Sequence, residues 1–85
     1  MLARISRVQP LGMHRLALEF TDGSHGIVDL GPHITHRSGV FTALHDPAFF
    51  ALVSVDTEAG TIVWPNGVDL DPDVLYSLAQ QSIVA

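Results

Sequence analysis

The strongest constraint on the fold is an alternation of apolar and polar residues across residues 14–21. The apolar side chains of this segment are Leu16, Leu18 and Phe20. A period of two predicts a β-strand that is buried on one face. Asp22-Gly23 follows at once, and an Asp-Gly pair between apolar runs predicts a hairpin because glycine tolerates a positive φ. We therefore expect a returning strand over residues 25–30.

Two Asp-Pro pairs predict the starts of two helices. An Asp side chain can accept hydrogen bonds from the first free amides of a helix, and proline suits the first helical position. Asp46-Pro47 follows a helical turn expected over residues 40–44, and its helix should end near Val53. Asp71-Pro72 begins a C-terminal helix, where Asp73 favours the positive end of the helix dipole. The apolar stripe expected on this helix comprises Val74, Leu75, Leu78 and Ala79.

The remaining segments complete the element order. Strands are expected over residues 2–9, 54–56 and 61–64, and a loop over residues 31–39, which are rich in glycine and proline. The resulting order, β-β-β-α-β-β-α, predicts an α+β fold with a small, mostly antiparallel sheet, a short helix and a C-terminal helix. The 85 residues fit one domain, residues 1–85.

The segment Trp64-Pro65-Asn66-Gly67 predicts a tight turn before the C-terminal helix. Proline presets φ at the first corner, asparagine suits the second, and glycine accepts the left-handed position that follows. Val68 and Leu70 should then face inward and Asp69 outward. Trp64 is either a core residue, the simpler interpretation, or part of a partner surface, where tryptophan is enriched. We single out Trp64, Asn66 and Asp69 as candidate binding residues.

The charge balance limits the partners that the chain can bind. Nine Asp and Glu residues and four Arg, with no Lys, give a formal net charge of −5. Because phosphate binding depends on Lys and Arg, we expect no direct nucleic-acid binding and a small basic protein as the partner. No apolar run approaches the ~20 residues of a membrane span, so we expect a cytoplasmic protein without membrane contact. No cofactor is expected, and a homo-oligomer is not excluded.

The five histidines raise the question of a metal site. His33 and His36 are three residues apart, and His45-Asp46 could add a carboxylate. A zinc site needs three or four converging ligands, often including cysteine, and the chain has no Cys. Histidines solvated in a Gly/Pro-rich loop are the simpler interpretation, so we predict no metal site.

Two other polar groups also have a catalytic and a structural interpretation. Residues 22–25 combine Asp, Ser and His, but triads are assembled in space rather than at a hairpin tip, and turn chemistry explains this segment. Asp69, Asp71 and Asp73 could hold a cation or transfer protons. Asp71 and Asp73 are explained as a helix cap and a first-turn residue, which leaves Asp69 without a structural role.

Three stretches together resemble a known family. They are residues 18–23 with 28–30, residues 39–50, and residues 60–72, the last containing Trp-Pro-Asn-Gly-x-Asp-x-Asp-Pro. They resemble the bacterial domain of unknown function numbered 2442, over nearly the whole chain. The resemblance implies a small α+β domain without established catalytic residues, which acts beside another small protein in two-gene modules of the toxin–antitoxin kind. Some members continue into a helix-turn-helix domain; this chain ends at Ala85, so we expect no direct DNA binding.

Three hypotheses of function follow. The leading one is a non-enzymatic binding module, an antitoxin-like partner of a small basic protein. The second is a ligand-sensing or regulatory domain with a pocket near Trp64 and Asp69. The third, which we rank last, is a small metal-assisted enzyme using His33, His36 and nearby carboxylates. The neighbouring genes, a bound small molecule or a retained metal would discriminate among them.

Overall fold

The computed structural model describes residues 3–34 and 39–83, which form two antiparallel sheets and several helices. The elements in chain order are β1 (Ile5–Gly12), β2 (Arg15–Phe20), β3 (His25–Asp29), α1 (Gly31–Ile34), a 3₁₀ helix (Gly39–His45), α2 (Pro47–Phe50), β4 (Ser54–Asp56), β5 (Thr61–Val63) and α3 (Pro72–Ile83). All strand pairs of both sheets are antiparallel. The predicted α+β class, the small antiparallel sheet and the C-terminal helix are confirmed.

The larger sheet has the strand order β1-β2-β3 and packs one face on the core. Leu16, Leu18 and Phe20 are each at most 2% exposed, as their alternation predicted. Leu18 pairs with Val8 on one side and Gly26 on the other, which continues the buried face across the sheet. The opposite face, called the outer face below, carries the intervening residues Arg7, Gln9, Gly12, Arg15, Ala17, Glu19, His25, Ile27 and Asp29.

The connection between β1 and β2 is tighter than predicted. β1 continues past residue 9 to Gly12, which pairs with Arg15 after a register irregularity between Pro10 and Gly12. Met13 and His14 alone form the turn, so β2 begins at Arg15 rather than at His14. The φ angles of Met13 and His14 are 51° and 63°. This left-handed region costs a non-glycine residue roughly 1–2 kcal/mol, so the sequence carried no signal for a two-residue turn here.

Contacts of His14 hold this strained turn against the rest of the fold. The His14 carbonyl accepts the Leu30 N–H at 2.9 Å, and its ring packs edge-on against Phe50, with 4.9 Å between ring centroids. Its Nε2 lies 3.2 Å from the His45 carbonyl oxygen. The turn is thereby connected to three separate segments, and these contacts offset the backbone cost.

The segment predicted as a loop over residues 31–39 begins with a helical turn. The Asp29 carboxylate accepts the Gly31 N–H at 3.0 Å, and the Leu30 carbonyl accepts the N–H groups of His33 and Ile34. Ile34 is 1% exposed, so its burial and these bonds stabilise α1 despite the glycine and proline in its sequence. Residues 35–38 lie outside the described residues.

The two Asp-Pro pairs start helices as predicted. Asp46 Oδ1 accepts the Ala48 N–H at 3.0 Å, and Asp71 Oδ1 accepts the Asp73 N–H at 2.8 Å. α2 ends at Phe50, earlier than expected, because the chain must extend by residue 54 to pair β4 with β5. The predicted turn before α2 is the 3₁₀ helix, which buries Leu44 completely.

The turn after β5 lies where the sequence placed it. Trp64 N–H donates to the Val68 carbonyl and Gly67 N–H to the Trp64 carbonyl, both at 2.9 Å. Asn66 Oδ1 accepts the Val68 N–H at 3.2 Å. Gly67 has φ +87°, the left-handed conformation for which glycine was predicted. Val68 is 6% exposed and Asp69 faces solvent, also as predicted.

Helix α3 packs against β3 through a close approach at Gly26. A Cβ at this position would lie 2.5 Å from the Ala79 carbonyl oxygen, so glycine is required for the helix to lie this near the strand. Leu75 and Ala79 are buried. The predicted apolar stripe is wrong at Val74, which is 54% exposed. The buried line runs through positions 75 and 79, and Val74 lies about 100° round the helix from Leu75.

The core joins both sheets and all the helices. Trp64 is 2% exposed, and its indole N–H donates to the Phe50 carbonyl at 2.9 Å. Thr61, the buried polar residue of this region, donates its hydroxyl to the Leu70 carbonyl. Among the residues that the structure describes, no helix has both the length and the apolar character needed to cross a membrane.

Candidate functional site

A groove around Phe41 collects most of the candidate residues named from the sequence. It consists of two adjoining hollows of about 260 Å³ and 300 Å³, both lined by Phe41 and Asp69. The larger hollow also reaches Asn66, and the smaller one reaches His33 and Asp71. We call this feature the Phe41 groove.

The floor of the Phe41 groove is apolar and is built by three parts of the fold. Ile34 of α1 and Leu75 of α3 are each 1% exposed and form its base. Phe41, from the 3₁₀ helix, is partly buried against the core, and Val74 of α3 is 54% exposed beside it. The groove therefore presents apolar side chains that solvent can reach, with a rigid core beneath them.

The structure separates the three candidate binding residues. Asn66 and Asp69 line the groove, and Asn66 is held there by its hydrogen bond to the Val68 N–H. Trp64 does not line it, because its ring is buried against Phe50 with 5.4 Å between ring centroids. Any contribution of Trp64 to binding would be indirect, through the turn that it anchors.

The three carboxylates near the groove have different roles. Asp71 caps α3 through the Asp73 N–H, and Asp73 Oδ1 accepts the Ala3 N–H at 2.9 Å, which connects α3 to the start of β1. The Asp69 side chain is exposed and forms no hydrogen bond or ion pair with another described residue. Among the described residues, Asp69 is therefore the carboxylate at this groove that no neighbouring side chain or N–H group engages.

The histidines do not converge within the described part of the chain. His33 lies at the rim of the groove, and His36 falls outside the described residues. His14 and His45 contact backbone carbonyls: His45 Nε2 lies 2.8 Å from the Ile34 oxygen. His25 is on the outer face. No three metal-binding side chains cluster among residues 3–34 and 39–83.

The hairpin tip at residues 22–25 connects β2 and β3 to α3. Asp22 Oδ1 accepts the Ser24 N–H at 2.8 Å, and Asp22 Oδ2 accepts the Tyr76 hydroxyl at 3.0 Å. The Ser24 N–H lowers the pKa of the Asp22 carboxyl below its ordinary value, and the Ser24 and Tyr76 hydroxyls lower it further. Turn chemistry explains Asp22, as predicted, but its link to Tyr76 had no sequence signal, because the two residues are far apart in the chain.

The Phe41 groove combines an apolar floor with an exposed carboxylate. Its floor provides apolar contact area, and Asp69 provides an acceptor for a guanidinium or ammonium group. The described residues around it place no Ser or Thr hydroxyl beside a base. Sequence reasoning missed Phe41 and Val74 as groove residues because both read as ordinary core positions; the exposure of Val74 depends on how α3 is rotated.

Comparison with known proteins extends this description. The family described as a protein of unknown function, DUF2442, matches residues 5–81. A similar solved structure is that of a candidate DNA-binding protein, NE0471 from Nitrosomonas europaea ATCC 19718, with a TM-score of 0.79 and 22% sequence identity. The similarity covers 95% of this chain and 51% of NE0471, so the chain spans about half of that protein's length. No curated protein matches the chain in sequence.

These two similarities support different conclusions. At 22% identity, the likeness to NE0471 shows the fold and not the activity. The family match extends over nearly the whole chain, including the turn and the start of α3 that form one side of the Phe41 groove. The protein therefore belongs to the DUF2442 family of proteins of unknown function.

Proposed function

We propose that this domain is a non-enzymatic binding module whose Phe41 groove receives a segment of a small basic protein. The observation that carries the proposal is the combination of an apolar floor open to solvent, with Val74 54% exposed, and the exposed carboxylate of Asp69 at its edge, which pairs with no described residue. An apolar side chain of the partner would pack on the floor while a neighbouring Arg or Lys pairs with Asp69. Such an anchor with a charged neighbour is a common arrangement at protein interfaces.

The overall charge supports a basic partner. The net charge of −5 attracts a basic protein at long range. The role that the family resemblance implies, an antitoxin-like protein in a two-gene module, supplies a specific candidate: the product of the neighbouring gene. We therefore propose that the partner is the small basic product of the neighbouring gene.

Binding of DNA by this domain is not supported. NE0471 is a candidate DNA-binding protein, but this chain corresponds to about half of it. Of the four Arg residues, Arg4 donates to the carbonyls of Thr57 and Glu58, and Arg7 lies 4.0 Å from Glu19. Four Arg residues and no Lys, in a chain of net charge −5, are too few to form the basic surface that binding to phosphates requires.

Ligand sensing is the second candidate function, and it uses the same groove. Taken singly, the two hollows of the groove, about 260 Å³ and 300 Å³, lie at or just below the lower end of the range of about 300–1,000 Å³ typical of ligand pockets. That size suits one or two side chains of a protein better than a whole ligand. A metal-assisted reaction ranks last, because no three metal-binding side chains converge within the described residues.

The test is binding of the purified domain to the product of the neighbouring gene. Val74→Glu places a charge on the groove floor, and since Val74 is 54% exposed the variant should fold. We expect binding to weaken at least about tenfold, as for loss of an interface anchor. Leu52→Glu is the matched control, because Leu52 is 57% exposed and lies outside the groove. Wild-type binding by Val74→Glu would reject the groove, and absence of any complex with the wild-type protein would reject this partner.

A further inference from the structure

The outer face of the three-stranded sheet carries charges in a regular pattern. Its residues form three rows across the strands, and each row contains one residue from each of β1, β2 and β3. The first row is Arg7, Glu19 and His25, the second is Gln9, Ala17 and Ile27, and the third is Gly12, Arg15 and Asp29. The acidic residue of the first row and the basic residue of the third are therefore on the same strand, with Ala17 between them.

This face is open to solvent and has a hollow at its centre. The side chains of Arg7 and Glu19 are 80% and 50% exposed, and Ile27 is 48% exposed. A hollow of about 480 Å³ lies over the first two rows, around the small side chain of Ala17. The Arg7–Glu19 pair is 4.0 Å apart and exposed, so it is weak and leaves the Glu19 carboxylate available to another partner.

We propose that the outer face binds a second copy of this chain, face to face, about a two-fold axis that runs across the strands. This rotation places β2 antiparallel over β2 of the second copy and exchanges the first row with the third. Glu19 then faces Arg15 of the second copy, and Arg15 faces its Glu19. In the same way His25 faces Asp29, and the second row packs on itself. The contact is isologous, as two-fold symmetry requires.

The charge pattern selects this arrangement over the other face-to-face two-fold. An axis parallel to the strands would place each row over itself. Glu19 would then face Glu19 and Arg15 would face Arg15, and like charges opposed across an interface disfavour it. Sheets packed face to face keep their strands nearly aligned, which both arrangements satisfy, so the charges decide between them. The hollow beside Glu19 is the space that Arg15 of the second copy would enter.

The size of the face sets the strength of the dimer. Three strands about 4.8 Å apart and six residues at about 3.4 Å each cover about 14 Å by 20 Å. Counted on both copies this footprint is about 560 Å², below the total of about 1,000 Å² for specific interfaces, so we expect a weak, transient dimer with a dissociation constant of about 100 µM. The face shares no residue with the Phe41 groove, so dimerisation and partner binding are independent.

The test is sedimentation equilibrium of the whole chain up to about 1 mM, well above the expected dissociation constant. The wild-type protein should approach twice its mass of 9.2 kDa. Arg15→Glu and Glu19→Arg should each raise the dissociation constant at least about tenfold, because each opposes like charges at two symmetric contacts. The double variant Arg15→Glu/Glu19→Arg restores opposite charges and should dimerise again. Asp69→Arg, the same change of charge as Glu19→Arg but in the Phe41 groove, should dimerise like the wild type.

Three results would overturn the proposal. One is a wild-type protein that stays monomeric at about 1 mM. The second is a dimer whose dissociation constant does not change in Arg15→Glu and Glu19→Arg, or rises in Asp69→Arg. Either result would show that the interface lies on another surface of the protein. The third is a double variant that remains monomeric while its circular dichroism spectrum matches the wild type, which would remove the pairing of Glu19 with Arg15.

Discussion

At residue 67 the backbone conformation alone determines the amino acid. Gly67 has φ +87°, and a Cβ added there would meet no atom within 4 Å. Gly67→Ala should therefore lower the free energy of unfolding by about 1 kcal/mol, through left-handed strain and not through a clash. Urea unfolding measures this change. Gly67→Asn is the control, and its free energy of unfolding should fall less, because asparagine tolerates this conformation. An alanine variant as stable as the wild type would contradict the observed φ.

Single residues were predictable where a side chain acts on its own neighbours in sequence. Asp46, Asp71 and Gly67 were assigned from local hydrogen bonding and backbone preference, and the structure confirms them. Met13 and His14 were not, because neither residue favours the left-handed turn that they form. Their conformation depends on contacts with distant segments, which no local pattern records.

At the scale of elements, the start of α3 has one carboxylate with a structural role, Asp71, and one that is exposed, Asp69. Asp71 Oδ1 accepts the Asp73 N–H at 2.8 Å, so Asp71→Ala should cost about 0.5–2 kcal/mol of stability, the usual effect of losing a helix cap. Asp69→Ala, two residues earlier, removes an exposed side chain and should change stability little. Thermal or urea unfolding of both variants measures the difference. A larger loss for Asp69→Ala than for Asp71→Ala would show that Asp69 has a structural role.

The link between the hairpin tip and α3 should respond to acid. The pKa of Asp22 is lowered from 3.8, first by the Ser24 N–H, so the charged carboxylate is favoured in the folded state. Its contribution to stability is present above the unfolded pKa, and it is lost as the pH falls below 3.8 through the folded pKa. An NMR titration of the Asp22 carboxyl should show this lowered pKa.

Tyr76→Phe provides the control for that titration. It removes one hydroxyl donor at 3.0 Å but leaves the larger effect of Ser24, so the pKa of Asp22 should rise only part of the way to 3.8. A measured pKa of Asp22 at or above 3.8 in the wild type would contradict the hydrogen bonds described at the hairpin tip.

Elements were predicted well where hydrophobic period and turn residues agreed, as in β2, β3 and the β4–β5 pair. The errors lie where tertiary contacts decide. α1 forms because Ile34 is buried, although its glycine and proline favour a loop. Val74 is exposed because the rotation of α3 is set by the approach of Gly26 to Ala79, a contact across the fold. The Phe41 groove depends on that rotation, so only Asn66 and Asp69 of its lining could be named in advance as candidate binding residues.

At the scale of the whole molecule, the acidic charge makes a prediction about nucleic acid. With a net charge of −5 and no Lys, the isolated chain should not bind duplex DNA measurably at physiological salt. Fluorescence anisotropy with a labelled duplex tests this directly. Tight binding by this chain alone would reject the charge argument and would favour the function suggested for NE0471.

The same charge should govern how fast a basic partner associates. The negative field of the chain extends over one screening length, about 10 Å at 0.1 M salt and about 3 Å at 1 M. Raising the salt concentration should therefore slow association with the product of the neighbouring gene. Dissociation should change less, because packing on the apolar floor of the Phe41 groove is not screened by ions. Stopped-flow kinetics at two salt concentrations measure the two rates separately. An association rate that does not change with salt would be compatible with a binding module but would reject electrostatic steering as its mechanism.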